Sequence, residues 1–162
     1  MRQGAAWFAL AAAVPLSAAA LPSWEAPPAV QAAARSDYIE HCGGCHGVAG
    51  SSAPARVPEL RGRVGWFLCT TEGRDYLIRL PNVAHAPIDD PEALAALVNY
   101  VVFRLGGESA PAGARAFDGA EVAVLRRSPI VRASLLRERA RLVADIRRRC
   151  PAAPASLADY SG

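Results

Sequence analysis

Apolar residues recur at helical spacing over most of the 162-residue chain, and Pro, Gly or acidic caps separate the runs. A first helix is expected from Ala33 to Gly43, with Tyr38 and Cys42 four apart on one face. Val48 to Pro58 is rich in Gly, Ser, Ala and Pro and reads as a loop. A short helix follows from Arg74 to Leu80, stopped before Pro81. Asp89 or Asp90 caps the next helix, with Pro91 in its first turn. That helix runs to about Leu105, with Leu94, Leu97, Val98, Val101 and Val102 as its stripe and Tyr100 close to it. Beyond Gly106-Gly107 and a linker around Pro111, Gly119 to Arg127 reads as helical. Ser128 before Pro129 then resembles a cap, and a longer helix should reach Arg149. Its apolar side is Leu135, Leu136, Leu142, Val143 and Ile146. The expected fold class is mainly α.

The first twenty residues stand apart. Met1-Arg2-Gln3 is a short positive start, Ala5 to Ala20 is almost wholly apolar, and Ala18-Ala19-Ala20 offers a small-residue cleavage site. The run is short for a membrane span and Pro15 interrupts it, so a cleaved export signal is expected over an uncleaved anchor. No other stretch is long and apolar enough to span. The chain therefore divides into a signal peptide (1–20), a Pro-rich leader (21–30), a compact domain (31–106) and an Arg-rich helical extension (107–162). A periplasmic or otherwise exported protein is expected.

Charge changes the picture little. From Leu21 onward there are 17 Arg and 15 acidic residues, and no Lys. Leu21 to Arg104 carries 7 Arg and 9 acids, whereas Leu105 to Gly162 carries 10 and 6. Arg147-Arg148-Arg149 is the densest cluster; it is either a solvated face or a docking surface for an acidic partner. Export and the lack of a binding motif argue against nucleic acid. No Ser–His–acid triad, phosphate-binding Gly loop or carboxylate pair with convincing spacing is evident.

The candidate chemistry lies in Cys42-Gly43-Gly44-Cys45-His46. Two thiols three positions apart, followed at once by a histidine, are the attachment signal for a c-type haem. Cys42 and Cys45 would form thioethers with the haem vinyl groups, and His46 would bind the iron from below. A thioredoxin-like pair would follow a strand, and none is evident. A zinc site would need a second ligand pair, whereas Cys69, His85 and Cys150 are isolated. In an oxidising compartment Cys69 and Cys150 are candidates for a disulfide, although sequence alone does not set their distance. Trp66, Arg61 and Arg63 carry donors suited to the haem propionates; the alternative is a core Trp with exposed Arg residues.

Tyr38 to Gly47, Pro58-Glu59-Leu60 and the helix containing Tyr100 together resemble a class I monohaem cytochrome c over roughly Gln31 to Gly106. The resemblance implies first and last helices crossing beside the haem, with Tyr38 and Tyr100 as packing aromatics. It also implies a Pro58 carbonyl accepting the N–H of His46. The family's methionine ligand is missing, since Met1 is the sole methionine. His85 stands in the corresponding loop and is expected as the second iron ligand. A merely solvated His85 would leave that position open to water or a small ligand. His41 adjoins Cys42 and is a poor ligand candidate, and Cys69 is a remote one. The leading expectation is one haem c and one iron, passing single electrons between a dehydrogenase and a downstream redox protein. A haem subunit of a larger oxidoreductase and a ligand-binding or catalytic haem are the alternatives.

Overall fold

The computed structural model describes residues 24–51, 57–131 and 134–161. The expected signal peptide, the first part of the leader and the middle of the loop before Pro58 lie outside those residues. All regular structure among them is helical, as the sequence pattern predicts.

Helix α1 (Pro28–His41) starts five residues before Ala33. Pro28 occupies the first turn, where a missing N–H costs nothing and the fixed φ suits a helix. The end of the leader is thus folded, not a flexible tether. Trp24 is buried in the core, and its carbonyl accepts from Arg104 at 3.2 Å. One further turn, α2 (Gly43–His46), follows directly. Gly47 then reverses the chain at φ +71, with Ser51 O where a Cβ would sit.

A 3-10 segment (Val64–Cys69) leads to α3 (Thr71–Arg79), whose cap Thr70 accepts from the Gly73 amide at 3.0 Å. A single turn, α4 (Pro81–Ala84), occupies what the sequence suggests is loop. Helix α5 (Pro91–Asn99) is capped by Asp90, whose carboxylate accepts from Glu92 at 3.0 Å. It continues as a π-helical segment, Tyr100–Leu105, closed by Gly106 N donating to Val101 O at 2.8 Å. The Tyr38 and Tyr100 rings pack 5.7 Å apart where α1 crosses this segment, which is the aromatic pairing implied by the resemblance.

The chain beyond Gly106 shares this core. Helix α6 (Gly119–Leu125) packs on α5. Between them the buried Asn99 amide donates to Phe117 O at 2.9 Å and accepts from Phe117 N at 2.8 Å. Arg74 clasps Glu121 at 2.6 and 2.7 Å, donates to two carbonyls, and lies 3.9 Å over the Phe117 ring. Helix α7 (Leu135–Arg149) begins after Ser134, not at Ser128. The reason is a distant contact: Ile130 N donates to Arg79 O at 2.8 Å and Arg79 donates to Ser128 O at 2.7 Å, which holds that stretch against the end of α3. Leu142, Val143 and Ile146 are buried, whereas Leu136 is half exposed and leaves the expected apolar side. Helix α7 packs on the 3-10 segment and on α3. Cys69 and Cys150 form a disulfide with their Cα atoms 6.2 Å apart.

Candidate haem site

The site is built from the end of α1 outward. Cys42 caps α1, its amide donating to Tyr38 O at 2.9 Å, and its carbonyl accepts from His46 N at 2.9 Å. One tight turn therefore carries both thiols and the imidazole. Cys42 and Cys45 are free thiols, half-buried and exposed respectively. Burial, and then the neighbouring Cys45, push the Cys42 thiol up.

His46 Nδ1 lies 3.0 Å from Pro58 O. A carbonyl only accepts, so Nδ1 carries the proton and Nε2 is left with its lone pair. Burial holds this imidazole below its usual value, against the opposing pull of the Pro58 carbonyl. The neutral ring is the form that binds a metal. The Tyr38 hydroxyl, pushed up to about 12 mainly by burial, donates to Gly47 O at 2.6 Å and ties the turn after His46 to α1.

Cys42, Cys45, His46 and Pro58 line one cavity of about 460 Å³. That size falls within the ~300–1,000 Å³ typical of small-molecule and cofactor sites. The rest of the wall is mainly apolar. Leu60, Val64 and Phe67 come from the chain after Pro58, and Leu97, Val98 and Val101 from α5 and the π segment. Tyr76, Leu77 and Leu80 belong to α3 and its end, Asn82 and Val83 to α4, and Leu135 and Arg139 to α7. This donor set fits a covalently held haem: two thiols and an oriented imidazole, facing an apolar cleft that water would otherwise fill.

His85 is not part of that wall. It is exposed at the end of α4, its amide bonded to Pro81 O at 3.0 Å. Arg126 holds the carbonyls of Ala84, Ala86 and Ile88 at 3.2, 3.2 and 2.8 Å, fastening this loop to the end of α6. Asn82 and Val83 reach the cavity in its place. His41 does line the cavity, from the last turn of α1.

Arg61, Arg63 and Trp66 are likewise absent from the lining. Side chains three apart eclipse in a 3-10 helix. Val64 and Phe67 therefore share the face turned to the cavity, and Trp66 and Cys69 share another. Arg63 donates to Ser156 O at 3.4 Å, and Cys69 is bonded to Cys150, so its thiolate is not available to a metal. Among the described residues no cluster of three or more His, Cys, Asp or Glu converges on a metal position. Compared with family models, with curated proteins and with solved structures, the chain matches none.

Sequence reading missed Tyr76 and Arg139. Tyr76 is 5 % exposed, stacked on Phe67 at 5.4 Å, and hydrogen-bonded to Arg139. Nothing in an Arg-rich helix distinguishes the one guanidinium turned inward; only the position of Leu135, one turn earlier on the same face, hints at it.

Proposed function

We propose that this chain is an exported c-type haem protein that carries single electrons between redox proteins. The observation that carries the reading is the convergence of Cys42, Cys45 and His46 on one apolar cavity, with His46 Nδ1 held 3.0 Å from the Pro58 carbonyl. Cys42 and Cys45 would hold the haem, and His46 Nε2 would bind its iron. The haem supplies one-electron chemistry. The chain keeps His46 neutral and oriented, and the apolar wall excludes water, which favours transfer with little rearrangement. Export rests on the pattern of residues 1–20. No helix among the described residues is long and apolar enough to cross a membrane.

A second reading is ligand binding at the iron. It is favoured by His85, which is exposed and outside the cavity. Docking through the extension has less apolar surface to draw on, because Leu142, Val143 and Ile146 are buried in the chain's own core. What remains is the exposed Arg147–Arg149 face, where Asp145 pairs with Arg148 and Arg149 at 2.9 and 3.1 Å.

The test is periplasmic expression with a haem-attachment system, followed by intact mass and a pyridine haemochrome spectrum. One haem retained after denaturation, and lost when Cys42→Ala and Cys45→Ala are combined in one chain, is the expected result. A wild-type protein without covalent haem overturns the reading. The ferric spin state then separates the two uses: low-spin favours the carrier, high-spin the ligand binder.

A further inference from the structure

We propose that the cavity wall built by α3 and α7 is a binding site for a small hydrogen-bond-accepting anion at the haem iron, with Arg139 as its donor and Tyr76 as the residue that positions Arg139. This rests on the haem attachment proposed above and on its second reading, an iron open to ligands, and adds to that reading a ligand class and two residues.

Three observations carry the inference. First, Arg139 and His46 line the same cavity although they are far apart in sequence. Leu135, one turn before Arg139, lines it as well, so this face of α7 forms part of the cleft. Second, the placement of Arg139 is fixed from both ends. Helix α7 is anchored by buried Leu142, Val143 and Ile146 and by the Cys69–Cys150 disulfide. The guanidinium itself is bonded to the Tyr76 hydroxyl, whose ring is stacked on Phe67. Third, among the described residues the cavity lining contains neither a methionine nor His85, and its remaining histidine, His41, ends α1 beside Cys42.

The chemistry follows from the guanidinium. Its planar fork carries five N–H donors, so one group can hold Tyr76 and an incoming acceptor together. In an apolar cleft such a charge-assisted bond is stronger than in water. Tyr76 stays protonated at neutral pH, since burial raises it against the opposing pull of Arg139. Its hydroxyl is therefore a second neutral donor. The ligand class is a small anion that bonds iron through one atom and accepts a hydrogen bond, such as fluoride or azide.

Fluoride binding to the ferric holoprotein tests this, read by absorption and referenced to covalent haem content. The wild type is expected to bind fluoride, Arg139→Leu to bind it about tenfold more weakly, and Arg139→Lys to fall between. Tyr76→Phe should weaken it less. Imidazole, a neutral ligand, should bind all four proteins with similar affinity, a result that a merely loosened cavity would not give. Equal fluoride affinities in wild type and Arg139→Leu overturn the proposal, and would fit Arg139 meeting a haem propionate instead. A low-spin wild type that takes no fluoride overturns it too. Absence of covalent haem from the wild type overturns the haem reading and this one together.

Discussion

Removing the disulfide is the sharpest test of how the extension is held. Cys69 and Cys150 are 81 residues apart in sequence. In the chain-entropy model a cross-link across a loop of that length withdraws ~4.5 kcal/mol of freedom from the unfolded chain at 25 °C. The double substitution Cys69→Ala with Cys150→Ala avoids leaving an odd thiol. Native contacts change little, because both cysteines are only partly buried and α7 keeps Leu142, Val143 and Ile146 in the core. The expected loss is therefore most of that figure, about 3–4.5 kcal/mol. Urea denaturation followed by far-ultraviolet circular dichroism measures it. The m-value should rise as well, because the unlinked chain exposes more surface when unfolded. In a thermal scan the Tm should fall by roughly 10–20 °C. A loss under about 1 kcal/mol, with an unchanged m-value, would refute the reasoning. It would mean that the two cysteines are not joined in solution or that the unfolded chain is already compact.

Three further outcomes are expected. His85→Ala should leave the ferric absorption spectrum unchanged, since His85 is exposed and outside the cavity; a low-spin to high-spin change would return it to the iron. Asn99→Ala should cost about 2–3 kcal/mol in urea unfolding, because it strands the buried N–H and C=O of Phe117 that Asn99 bonds at 2.8 and 2.9 Å; a cost below ~0.5 kcal/mol would show that those groups find water. For Glu121, burial alone would raise the carboxyl, but the bond to Arg74 and the charges of Arg74 and Arg115 outweigh it and hold the folded value below the ordinary 4.5. A depressed carboxylate stabilises the fold above its unfolded value, and that contribution is lost as pH falls through the folded one. Stability should thus decline below about pH 4.5, and Glu121→Gln should flatten that decline; identical acid limbs in the two proteins would rule the Arg74–Glu121 clasp out as its source.

Local signals made much of this fold legible, and non-local ones account for the rest. Asp90 with Pro91, and Leu80 before Pro81, mark real helix ends because caps and prolines act within one turn. Pro28 is the same kind of signal, hidden among neighbouring prolines that suggest a loose leader. Ser128-Pro129 looks like a cap but is not one, since Arg79, some fifty residues earlier, captures its backbone. The helix through Tyr100 was legible, yet its widening to a π segment has no mark in the stripe of Leu97, Val98, Val101 and Val102. At the site, the turn of Cys42, Cys45 and His46 was readable from the sequence, and the Pro58 carbonyl beside His46 was implied by the resemblance. The inward turn of Arg139 and the outward turn of His85 depend on how α7 and Arg126 pack, which no periodicity encodes.

The cavity draws its walls from widely separated parts of the chain, and this sets an order of assembly. Cys42, Cys45 and His46 share one turn and can take up their geometry as soon as α1 forms. Leu135 and Arg139 arrive only when α7 docks on the 3-10 segment and α3, where Arg139 meets Tyr76, 63 residues earlier in the chain. Contacts that distant in sequence form late, because a long loop must close first. During that interval the turn of Cys42, Cys45 and His46 faces a cleft still open on the side that Leu135 and Arg139 close.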